Sequence, residues 1–130
     1  MRILFAVMLG GALGSGLRYG VSLWVASRVG EEFPWGTVTV NVIGSFLIAF
    51  FIGLTGSEGA FTVSPVVRSF VAIGIMGGFT TFSSFSLQTL QLLQDGQWFW
   101  AAGNILLSVV VCLLAAAAGV ALANVLPLRS

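Results

Sequence analysis

Four long apolar runs, separated by three short polar breaks, constrain this chain more than any other feature. They cover about residues 3–27, 36–55, 68–94 and 98–126. A helix crossing the hydrocarbon core takes about 20 residues, so each run can span a bilayer with some tilt. The breaks hold Arg28, Glu31, Glu32 and Pro34, then Gly56, Ser57, Glu58, Gly59 and Pro65, then Asp95 and Gly96. Pro127 and Arg129 close the last run. Hydrophobic residues make up 58% of the chain and charged residues only 7%, against about 25% charged in soluble domains. So little polar surface cannot coat a water-soluble domain, and so much apolar surface does not stay disordered. The expected fold is an all-α membrane protein, one domain over residues 1–130 with four transmembrane helices. Trp35, Trp98 and Trp100 fall at helix ends, where indole rings favour the membrane interface.

The first run carries Arg2, an apolar stretch and the small residues Ala12, Gly14, Ser15 and Gly16, a loose likeness to a signal peptide. It reads better as a first span, because the apolar character resumes after Arg18 and continues to Ala26. Four spans put both termini on one side, with Arg2, Arg68 and Arg129; the other side carries Arg28. Positive charge favours the cytoplasm, but three against one or two is a weak bias, and insertion in both orientations is open.

What the chain lacks excludes several functions. It has no His, and its four acids, Glu31, Glu32, Glu58 and Asp95, all lie in loops or at helix ends. Proton-coupled transport usually needs an acid or His inside the membrane. The one cysteine, Cys112, stands alone, so there is no metal-ligand cluster and no nucleophile–base pair. No enzyme is expected. A net charge of +1 gives no field for nucleic acid. The polar groups left inside the spans are uncharged, and such groups can solvate an ion without gripping it.

They fall into four clusters. Gly10/Gly14 and Gly16/Gly20 are small-xxx-small pairs suited to close helix packing, and Arg18 lies among them, either in a watery vestibule or snorkelling to the headgroups. Thr37, Asn41 and Ser45 recur every four residues and share a helix face. Asn41 is either an interhelical hydrogen-bonding residue or a donor facing an ion. Gly74, Gly77 and Gly78 precede a run of Thr, Ser and Phe from Phe79 to Ser86. Three glycines in five residues are expected to break the third helix at mid-membrane, which is tolerated only under cover of protein or water. The freed carbonyls would suit a cation. Phe79, Phe82 and Phe85, at i, i+3 and i+6, are expected to share a face, and a phenyl ring's positive edge can meet an anion. Asn104, Ser108 and Cys112 form a last stripe, open to a reading as bundle hydrogen bonds.

These motifs, in this order, resemble the small bacterial fluoride channels called Fluc or CrcB. Gly10-Gly11 through Arg18, Gly36-Thr37-Val38-Thr39-Val40-Asn41 with Gly44, and Gly77-Gly78-Phe79-Thr80-Thr81-Phe82-Ser83-Ser84-Phe85-Ser86 carry the likeness. It implies an antiparallel homodimer in the bacterial inner membrane that passes fluoride down its gradient and relieves the cell of it. It implies two pores at the subunit interface, with Phe82 and Phe85 as pore phenyls and Asn41 beside them. Arg18 would stand in the vestibule, and Ser84, Ser108 and Thr37 in a hydroxyl track. It also implies a structural Na⁺ on the carbonyls of Gly77 and Thr80. Two departures stand out: Gln88 where many relatives carry Glu, and Asn104 where Tyr is frequent. Rival readings are a small dual-topology multidrug exporter, which needs an embedded Glu absent from the first span, and a non-conducting assembly subunit.

Overall fold

The computed structural model describes residues 1–126; Pro127 and Arg129 lie outside the described residues. Four helical spans account for nearly all of it. Helix α1 covers Arg2–Val29 and α2 covers Trp35–Thr55. The third span, Pro65–Gln94, is composite. Its first half, α3, spans residues 65–79: an α-turn at Pro65–Arg68, a wider π-helical stretch at Ser69–Ile75, and a second α-turn at Met76–Phe79. Its second half, α4, is Phe82–Gln94, and α5 is Trp98–Val125. All four spans are long and apolar enough to cross a membrane. The third begins ahead of the apolar run, because Ser64 caps it by accepting a hydrogen bond from the Val67 amide at 3.2 Å, with Pro65 at the first helical position.

The tightest packing is between α2 and α5, and between α1 and α3. Glycine sets the second of these. A Cβ on Gly10 would run into the Phe70 carbonyl, and one on Gly14 into the Ile75 carbonyl. A Cβ on Gly78 would lie 2.6 Å from the Gly11 carbonyl oxygen. The two backbones therefore touch, as helices do where lipid offers no hydrophobic drive to associate. Gly16 and Gly20 do not share in this: nothing lies within 4 Å of a Cβ at either, so this pair faces out of the subunit.

The ends are fixed by specific contacts. Arg68 Nη1 donates to the Thr55 carbonyl at 2.9 Å, placing a cation on the carbonyl end of α2. Gly30, at φ 83°, turns the chain after α1 in a conformation that disfavours a side chain. Phe33, only 8% exposed, then packs on Trp35 and Trp100 with ring centroids 4.8 and 5.8 Å away. This aromatic cluster ties the first loop to the start of α5.

Candidate functional site

The site is built on the break in the third span. The glycines do not make that break, contrary to the sequence expectation: Gly77 and Gly78 are helical. Close approach to α1 is what Gly78 supplies. The break falls at Thr80 and Thr81, whose φ/ψ of −87°/157° and −152°/114° are both extended. Extended backbone suits β-branched threonine. Thr81 then caps α4, its Oγ1 accepting from the Ser84 amide at 3.1 Å.

Asn41 holds the break open. Its Oδ1 accepts from the Thr81 amide at 2.7 Å, and its Nδ2 donates to the Thr81 carbonyl at 3.0 Å. One side chain on α2 thus satisfies both backbone groups of the residue that left the helix. This is the interhelical hydrogen-bonding role left open by the sequence. One Nδ2 hydrogen is used in it, and an amide carries two.

The break frees a run of carbonyls from their helical partners, those of Gly77 and Thr80 among them. In an unbroken helix the Gly77 carbonyl would accept from the Thr81 amide, and the Thr80 carbonyl from the Ser84 amide. The first of those amides is taken by Asn41, the second by the Thr81 hydroxyl. Gly77 is exposed on the subunit surface, and nothing lies within 4 Å of a Cβ built there.

Beside the break lies a mostly apolar groove of about 430 Å³. Asn41, Ser45, Gly77, Thr80, Phe82, Phe85, Ser108 and Cys112 are among its lining residues. Phe82 is 78% exposed, and its ring centroid lies 5.4 Å from that of Phe85, with the planes tilted by 48°. Phe79 does not share this face. The extended residues between Phe79 and Phe82 reset the helical phase, and Phe79 is buried against α2 near Gly44.

Other expected residues stand elsewhere. Thr37 does not reach the phenyls; it lines a second, vestibule-like cavity of about 400 Å³ with Tyr19, Glu31, Gln88, Gln91 and Asp95. Eight residues of helix separate Thr37 from Ser45, about 12 Å of rise, so one polar stripe feeds two cavities. Arg18 is half-buried on α1, one turn below Ser22, and lines neither cavity. Ser84 lines neither; it stands at the cap, where its hydroxyl accepts from Thr81 Oγ1 at 3.1 Å and keeps its own hydrogen. Gln88 has a buried Oε1 with no hydrogen-bond partner among the described residues.

On α5, Ser108 donates to Asn104 Oδ1 at 3.2 Å, and Asn104 Nδ2 donates to Thr89 Oγ1 at 2.9 Å. Thr89 in turn donates to the Phe85 carbonyl at 2.7 Å. The bundle reading of the Asn104 stripe therefore holds for Asn104, which is 1% exposed, while Ser108 both joins this chain and lines the groove. Thr89 was not legible as part of this chain of bonds, whereas Ser45 belongs to the polar face already read from the sequence. For Ser45 the four-residue spacing from Asn41 was the available signal; for Thr89 there was none.

Comparison with known proteins gives a consistent result. The family model described as CrcB-like protein, Camphor Resistance (CrcB), matches residues 5–120. A protein of Methylocella silvestris named fluoride-specific ion channel FluC is 60% identical over 109 residues, covering 84% of this chain and 83% of that protein. A FluC of Opitutus terrae is 56% identical over 115 residues, covering 88% and 87%. One of Sorangium cellulosum is 46% identical over 122 residues, covering 92% and 93%.

Proposed function

The chain belongs to the CrcB-like family, and from that membership we propose that it is a fluoride-specific channel of the bacterial inner membrane, carrying fluoride down its gradient and out of the cytoplasm. The observation that carries this reading is the groove beside the broken span. It gathers uncharged donors and phenyl rings and contains no carboxylate.

Fluoride is small and holds its water tightly, so a pore must replace that water in steps. Asn41 offers the Nδ2 hydrogen not used by Thr81. Ser45, whose hydroxyl has no partner among the described residues, offers another along the same wall. Phe82 and Phe85 present ring edges, which carry partial positive charge. None of these groups is a full charge, so none holds the ion too firmly to release it. An exporter that exchanges protons for cationic drugs needs an embedded acid, and Glu31, Glu32, Glu58 and Asp95 all lie outside the helices or at their ends.

The groove is open on the side where Phe82 is exposed. An antiparallel second copy would close it, which fits the weak charge bias of the loops and the outward-facing Gly16 and Gly20. In such a pair the Gly77 and Thr80 carbonyls, freed from helical partners, would hold a Na⁺ between subunits. That ion would supply fixed positive charge near the pores. The chain's own part is to keep the carbonyls free, through Asn41 and the Thr81 cap.

A fluoride electrode reading efflux from proteoliposomes tests the assignment. Wild-type protein is expected to release fluoride, and Phe82→Ile, which keeps bulk but removes the ring edge, is expected to stop it. Equal rates for the two would overturn the pore assignment.

A further inference from the structure

Resting on the sodium site of that reading, we infer that Gly44 is a positioning residue for it: the notch it leaves in α2 takes the Thr80 methyl and so aims the Thr80 carbonyl. Gly44 is buried on α2, about one turn after Asn41. A Cβ built on it would run into Thr80 Cγ2 and would lie 3.3 Å from Phe79 Cδ1. The Thr80 methyl thus occupies the space that a side chain at this position would fill. The rotamer is held from its other side. Thr80 Oγ1 donates to the Met76 carbonyl at 2.9 Å, and a β-branched side chain is stiff about χ1.

The Thr80 carbonyl belongs to the peptide unit between Thr80 and Thr81, which is trans. In a planar trans unit the C=O and N–H point in opposite directions. The N–H of this unit, that of Thr81, donates to Asn41 Oδ1 at 2.7 Å, so the Thr80 carbonyl points away from Asn41. Helix α2 therefore grips one rigid peptide at both ends, by a hydrogen bond at Thr81 and by the notch at Thr80. Carbon atoms rest about 3.5–4.0 Å apart, so a methyl added to Gly44 has to push Thr80 back by roughly 1 Å or more. With Thr81 still bonded to Asn41, that push tilts the peptide and turns the carbonyl. Attraction between a cation and an oxygen falls with distance, so the site loses affinity for Na⁺. Gly44 touches no ion itself; it acts through Thr80.

The test titrates Na⁺ against N-methylglucamine at constant ionic strength and follows the thermal midpoint of the detergent-solubilised protein, since an ion bound only by the folded state raises it. Wild type, Gly44→Ala, the double variant Gly44→Ala/Thr80→Ser, and Gly53→Ala are compared. Gly44→Ala is expected to need at least about tenfold more Na⁺ for half of the shift, as loss of a residue that orients a ligand does at metal sites. Adding Thr80→Ser keeps the hydroxyl and removes the methyl, and is expected to bring the Na⁺ requirement back to within about threefold of wild type. Gly53→Ala crowds Ala123, with the two Cβ atoms 2.7 Å apart. It is expected to lower the midpoint at every Na⁺ concentration and leave the Na⁺ requirement unmoved. A Gly44→Ala that behaves like Gly53→Ala, or a double variant that recovers nothing, overturns the positioning role. If Gly44→Ala yields no assembled protein, the double variant decides: assembly with a near-wild-type Na⁺ requirement supports the role, and failure to assemble overturns it. A wild-type midpoint that ignores Na⁺ overturns the sodium site and the role of Gly44 with it. Fluoride efflux from the same wild-type protein in proteoliposomes keeps that failure apart from failure of the channel reading.

Discussion

Replacing Asn41 by Asp tests the proposed anion contact of this side chain apart from its hold on the break, because it preserves half of its bonding. In Asn41→Asp a carboxylate oxygen still accepts from the Thr81 amide, the shorter bond at 2.7 Å. The bond lost is that from Nδ2 to the Thr81 carbonyl, at 3.0 Å. One unmet carbonyl costs about 1–3 kcal/mol, which a fold with four packed spans tolerates, and the diverted Thr81 amide keeps the helix broken. The effect on permeation is larger. Two like unit charges ~4 Å apart repel by about 4 kcal/mol at an effective dielectric of ~20. At about 1.4 kcal/mol per tenfold, fluoride passing an ionised carboxylate slows by roughly a thousandfold. The assay is fluoride efflux from proteoliposomes, alongside thermal unfolding in detergent followed by tryptophan fluorescence. The expected result is folded protein with efflux near the leak of empty vesicles. Folded Asn41→Asp that releases fluoride within about tenfold of wild type would refute the placement of the anion beside Asn41.

Further outcomes follow from packing and from the freed carbonyls. Gly14→Ala drives a methyl into the Ile75 carbonyl and is expected to cost about 1–3 kcal/mol through overpacking, read as a lowered thermal midpoint. Gly103→Ala, with open space around it, is expected to leave the midpoint unchanged or raise it. Phe33→Ala removes the hub of the aromatic cluster and is expected to destabilise by about 3–5 kcal/mol, measured by the same unfolding signal. Exchanging Na⁺ for N-methylglucamine throughout purification and reconstitution is expected to reduce fluoride efflux, and restoring Na⁺ to recover it.

Much of this architecture was legible because a bilayer leaves few options. Apolar runs of 20 or more residues with charged breaks have one reading, and the observed helices Arg2–Val29, Trp35–Thr55 and Trp98–Val125 follow it closely. Asn41 stood out because an amide in mid-span demands a partner. Its partner, forty residues away in the chain, left no trace in any local pattern. The position of the break was misread for a physical reason. Glycine's helix penalty is small beside the gain from letting two backbones meet, so Gly74 and Gly78 stay helical against α1. The break moved to the threonines, where the Asn41 amide and the Thr81 cap supply the bonds that the helix gives up. Once those residues are extended, the spacing rule that joined Phe79 to Phe82 no longer applies. Thr37 shows the other limit: periodicity assigns a face but not a depth.

In the proposed channel, neutral donors and ring edges along one groove replace the water around fluoride and fail to do so for chloride. The reversal potential of the protein in a planar bilayer, with fluoride on one side and an equal concentration of chloride on the other, tests it most directly. A fluoride-selective pore gives a large potential of the sign set by fluoride permeation. A potential near zero with measurable current would contradict it.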